Sequence, residues 1–223
     1  MTSGDRARWG LHHTGRDGVS TEPDAVEERP ARQWGRTQKT RRSILDAARG
    51  VFVEVGYADA SIAQIVERSG LSVGSVYHHF NSKADLFLAL WQEYEGVYIK
   101  AATTAVADAR HAGVTDPVEL FVVGSRGYLE VARLNSELTL LFRGGDGPPG
   151  YDAMGSHVGA EWMKNNMSLL GLDYTPANRL RARVLTSVVV EGERSIAAAE
   201  DKSVIGELID EVLAIVRRVA SAT

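Results

Sequence analysis

Between Ser61 and Phe80 the chain reads SIAQIVERSGLSVGSVYHHF, two short amphipathic runs joined at Gly70, Leu71 and Ser72. Ser61 and Gln64 make an S-x-x-Q capping box, and the run through Ile62, Ile65 and Val66 ends at Gly70, which adopts a left-handed helix end cheaply. Ser72 then opens a second run with Val73, Val76 and Phe80. Upstream, Ile44, Ala48, Val51, Phe52 and Val55 recur at the spacing that lines one face of an α-helix, with Thr40 placed as N-cap and Gly56 as stop. Three short helices with a tight turn before the last are the pattern of a helix-turn-helix that reads DNA.

The same letters fit a second machine. Gly70-Leu71-Ser72-Val73-Gly74 matches G-x-S-x-G, the nucleophile elbow of a hydrolase, with Ser72 as attacking hydroxyl. An elbow needs a strand before the serine, and the residues from Ile62 to Gly70 carry helical spacing instead. Ser72 is better used as a helix cap that accepts a backbone N–H near Ser75, an effect of about 1 kcal/mol. The serine-hydrolase reading is the lesser alternative, and the protein is expected not to be an enzyme.

On a 100° wheel, Val73, Val76 and Phe80 fall within about 60° and form the expected buried stripe. Gly74, Ser75 and His78 point away from it, and Tyr77 and His79 lie on its edges. Compact polar groups without an acidic residue suit contact with phosphates and base edges, and glycine lets the backbone approach closely. His78 and His79 point about 100° apart and do not share an ion easily, so no metal is expected. Ser82 and Asp85 repeat the capping pattern before a long helix through Leu86, Phe87, Leu90, Trp91 and Tyr94. Lys83 in its first turn opposes the helix dipole, which a phosphate partner would explain.

Charge distribution agrees. The whole chain carries a net charge of −4, yet residues 29–83 hold 9 basic and 4 acidic residues. A basic patch on an acidic protein favours defined docking on nucleic acid over general adhesion. Cysteine is absent, which excludes disulfides, thiolate metal sites and cysteine nucleophiles. No apolar run has the length of a membrane span or a secretory core, so a cytoplasmic location without membrane partners is expected.

The block from Thr40 to Leu86, with its signature GLSVGSVYHHFNSKADL, resembles the DNA-binding region of the tetracycline-repressor (TetR) family. The resemblance implies an all-α fold: an N-terminal three-helix helix-turn-helix head and a C-terminal helical ligand-binding and dimerisation domain. It implies DNA contacts by Thr40, Ser72, Gly74, Ser75, Tyr77, His78, His79 and Lys83. Val73 departs from the pattern, where many members carry Lys, Arg or Pro.

The expected organisation is a disordered arm over 1–36, a DNA-binding domain over 37–83 and a helical domain over 84–223. Helices are expected at 83–109, 117–134, 136–143, 152–170, 176–199 and 202–221. The last carries a stripe broader than one buried face needs, from Val204 to Val219, so part of it suits a homodimer interface. Between helices, GGDGPPG contains a G-x-G-x-x-G match, but Pro148 and Pro149 remove donors a pyrophosphate needs. It reads as a flexible connection, and no cofactor is expected. Phe121, Tyr128, Trp162, Met163, Asn166 and Glu191 are the candidate lining of a pocket for a small organic effector. The function these readings give is a dimeric repressor of a palindromic double-stranded DNA operator, released by that effector. An effector-independent or architectural DNA binder is the alternative.

Overall fold

The computed structural model of the chain describes residues 28–221. Those residues form helices without a strand: α1 (Glu28–Asp59), α2 (Ile62–Ser69), α3 (Val73–His79), α4 (Lys83–His111), α5 (Pro117–Leu134), α6 (Ser136–Arg143), α7 (Tyr151–Leu169), α8 (Pro176–Ala198) and, after a 3-10 turn, α9 (Ile205–Ser221). The fold is all-α. The chain divides into two units between Lys39 and Thr40, the first described over residues 28–39 and the second over 40–221. Of the first, the opening of α1 is described.

Two expectations about this region change. Thr40 is not an N-cap, because α1 starts at Glu28 and runs through it. Residues 28–36 are helical rather than part of a disordered arm, and the rest of that expected arm, 1–27, lies outside the described residues. The segment is rich in Arg, Gln and Ala, which favour helix, and Pro30 falls in the first turn, where a missing N–H costs little.

The second unit holds α2 to α9 and the apolar face of α1. Ile44, Leu45, Ala48 and Phe52 on α1 pack with Ile65 and Val76 into a fully enclosed core. That core continues without a break into α4 through Leu86 and Phe87, and onward to Leu129, Leu185, Ile196 and Leu213. Aromatic rings carry it further: Phe52 to Phe87 at 5.6 Å, Phe87 to Phe142 at 5.2 Å, Phe142 to Tyr94 at 5.0 Å, Tyr94 to Tyr98 and Tyr98 to Tyr128 at 4.6 Å each. The helices α4 and α5 approach closely because α5 presents Gly127 to α4. A Cβ on that residue would stand 2.8 Å from the Ala101 carbonyl oxygen, closer than packing allows.

Candidate functional site

The helix-turn-helix is assembled by its caps. The Gln64 N–H donates to Ser61 Oγ at 3.3 Å, and Gln64 Oε1 accepts from the Ser61 N–H at 2.8 Å. Gly70 closes α2 in the left-handed conformation, φ 67°. The Ser75 N–H donates to Ser72 Oγ at 3.1 Å, so that hydroxyl caps α3. An α-helix, not a strand, precedes it.

Val76 and Phe80 are buried, but Val73 is 51% exposed and departs from the expected stripe. It stands at the first helical position, beyond the edge of the core, one turn from Tyr77, which is 50% exposed. The outward face of α3 is therefore Val73, Gly74, Tyr77 and His78, flanked by half-buried Ser75 and His79. The His78 and His79 rings meet edge-on at 5.2 Å. Burial, then His78 and Arg41, hold His79 below the usual imidazole range, so it presents a neutral ring at neutral pH. A methyl-bearing side chain, a phenol, a hydroxyl and imidazoles on one short exposed helix can meet base edges and thymine methyls in a major groove.

Lys83 serves a different place. Its ammonium donates to the carbonyls of Tyr57, Ala58 and Ala60 at 2.6, 3.1 and 2.7 Å and lies 4.4 Å from the centre of the Tyr57 ring. Three donors on three carbonyls explain a lysine in the first turn of α4 without a phosphate. Thr40 is half-buried inside α1. Arg42 pairs with Asp46 and Glu93, each at 2.9 Å.

The loop after α6, expected to be a loose connection, is pinned to the end of α1. Gly56 breaks the helix at φ 78°, a left-handed-side conformation, and exposes the next two N–H groups. Asp146 Oδ2 accepts both, from Tyr57 at 2.6 Å and Ala58 at 3.1 Å.

A cavity of about 620 Å³ opens among α4, α5, α7 and α8. Phe121, Tyr128, Trp162 and Asn166 line it, and the Asn166 amide is oriented by a 2.9 Å bond to Thr186. Met163 and Glu191 do not line it. Glu191 points outward, with a 69% exposed side chain 3.7 Å from Arg194.

Sequence reading missed the polar end of this cavity. Glu193 on α8 is fully buried, and the hydroxyls of Tyr94 and Tyr128 both donate to it, the latter at 2.7 Å. Arg143 Nη2 lies 3.4 Å from Glu95 Oε1, 3.4 Å from Glu193 Oε2 and 3.2 Å from the Tyr128 oxygen. Burial, then Glu193, keeps the Tyr94 and Tyr128 phenols protonated far above their ordinary range, and burial pushes Tyr98 up to about 12. Burial also raises the Glu95 carboxyl; Arg143 and a hydrogen bond from Trp91 oppose this and Glu193 reinforces it. Spacing held the missing signal: Leu185, Val189, Glu193 and Ile196 share the buried stripe of α8, and Glu191 does not.

Residues 44–90 match the family model of bacterial regulatory proteins of the tetR family. Over those residues the chain is similar to the DNA-binding region of the TetR family. Its head is 44% identical over 54 residues to the transcriptional repressor AcnR of Corynebacterium glutamicum, a stretch that is 24% of this chain and 29% of that protein's length. The larger resemblance is one of fold. A TetR-like regulator from Rhodococcus sp. RHA1 superposes with a TM-score of 0.64 at 19% identity, covering 82% of this chain and 97% of that one. A TetR-family regulator from Syntrophomonas wolfei does so with 0.64 at 20%, covering 82% and 95%. Among the described residues no helix is long and apolar enough to cross a membrane, and no cluster of His, Cys, Asp or Glu could hold a metal ion.

Proposed function

We propose that this protein is a dimeric TetR-family transcriptional repressor that binds a palindromic operator through α3 and leaves it when a small organic molecule fills the cavity. Residues 37–83 act as the DNA-binding head and 84–223 as the effector and dimerisation region. The observation that carries the reading is the outward face of α3, built of compact groups and held by caps at both of its approaches. Gly74, Ser75, Tyr77, His78 and His79 take the operator contacts, with Ser72 fixing the helix start.

Dimerisation is supported by the outer faces of the last helices. Leu180 and Val184, one turn apart on α8, are 63% and 42% exposed, and Val204 stands exposed at the entry to α9. An apolar strip of this kind is what a symmetric four-helix contact with a second copy would cover.

Release is supported by the connection between cavity and head. Arg143 ends α6 at the cavity wall, and three residues later Asp146 holds the Tyr57 and Ala58 amides. A ligand that displaces Arg143 pulls on the segment that sets the end of α1, while the aromatic chain from Tyr128 to Phe52 transmits the same shift through packed rings. Effector binding then favours a dimer whose heads no longer match the groove spacing.

Selection of bound duplexes from fragmented genomic DNA of the source organism, followed by sequencing, tests the reading. A palindrome with half-sites about 34 Å apart or a small multiple of that is expected. Folded protein that enriches no sequence would overturn it.

A further inference from the structure

The charges at the inner end of the cavity do not balance. Glu193 is fully buried and Glu95 is 8% exposed, and one guanidinium, Arg143, serves both. A single nitrogen of Arg143 is divided among Glu95, Glu193 and the Tyr128 hydroxyl at 3.2 to 3.4 Å, long for charge-assisted contacts. Its Nε has no acceptor, the one such buried side-chain atom among the described residues. Glu193 also receives two tyrosine hydroxyls, whereas Glu95 adds the neutral Trp91 side chain to its share of the guanidinium. Glu95 is left under-neutralised, and Glu95 lines the cavity.

The walls around Glu95 are aromatic: Trp91, Phe121, Tyr128 and Trp162 all line the same space. Ring faces attract cations and a surplus carboxylate attracts them more strongly, whereas an anion seated at this inner end would add a third negative charge beside the one guanidinium that Glu95 and Glu193 share. Arg110 and Glu161 line the same cavity as one further charge of each sign. We propose that the cavity binds an organic cation, an ammonium-type ion on an apolar body, with its charge against Glu95 and its body among these rings. The proposal rests on the cavity being the effector site and adds the chemical class of the effector. Burial raises the Glu95 carboxyl, and a cation beside it would draw it back toward the ionised form.

Tetraphenylphosphonium and tetraphenylborate share size and shape and differ in the sign of their charge. Titration of the full-length protein with each, followed by the fluorescence of cavity tryptophans Trp91 and Trp162 and by calorimetry, should show the phosphonium binding tighter by about tenfold or more. In Glu95→Gln that preference should fall to near parity. Equal binding of the two ions by wild type, tighter binding of the borate, no saturable binding of the phosphonium, or a folded Glu95→Gln that keeps the full preference would each overturn the proposal. The wild-type comparison decides even where the variant does not fold. Duplex selection on the same preparation separates the two readings: capture of an operator with borate preference removes the cation alone, and cation binding without DNA capture removes the regulator alone.

Discussion

Glu95 is a buried carboxyl that shares its one guanidinium with Glu193, and its chemistry follows from that. Burial favours its neutral form, so its folded-state pKa stands above the unfolded value. The sign of the linkage is then fixed: Glu95 supports folding below the unfolded carboxylate range, and the support is lost as pH rises through the raised value. Glu95→Gln should therefore raise the melting temperature at neutral pH, by roughly 2–4 °C for each kcal/mol relieved, and the gain should shrink as pH falls into the acid range. A melting-temperature series against pH checks it; an equal gain at every pH contradicts the burial argument. Lys83 shows the reverse economy, since all three of its donors rest on the carbonyls that close α1. Its position in the sequence suggested a phosphate, because nothing local reveals that the end of α1 lies within reach 23 to 26 residues earlier.

Caps and close approaches decide the elements. Ser72→Ala removes the acceptor of the Ser75 N–H and should cost about 1 kcal/mol of stability by denaturant titration. Gly127→Ala would set a methyl against the Ala101 carbonyl between α4 and α5 and should cost about 1–3 kcal/mol, read the same way. Asp146→Ala frees the Tyr57 and Ala58 amides; their hydrogen exchange should quicken, and the effector should lose much of its power to weaken operator binding. Unchanged exchange at both amides would contradict the latch. These elements differ in how far sequence disclosed them. The caps at Ser61, Ser72 and Ser82 are local, so four-residue spacing revealed them before any fold was known. Val73 misled because periodicity marks a face without saying where the core ends. Asp146 and Glu193 act across 89 and 65 residues of chain, to Tyr57 and Tyr128, and only tertiary packing brings those partners together.

For the whole molecule, one apolar core joins α2 and α3 to the cavity, so a shift at the cavity wall has a packed route to α3. On the proposed reading, two copies place two α3 helices in successive grooves. Leu180→Glu combined with Val184→Glu charges the outer face of α8 without entering the core, and sedimentation should show a monomer that binds the operator far more weakly. A dimer that persists would place the interface elsewhere. The most direct measurement is the affinity of wild type and Tyr77→Ala for the selected operator at near-physiological salt. Tyr77 is half exposed on α3, so its loss should weaken binding by about 1–3 kcal/mol and leave the melting temperature unchanged. Undiminished affinity in Tyr77→Ala and in a matching His78→Ala would mean that α3 does not read the DNA.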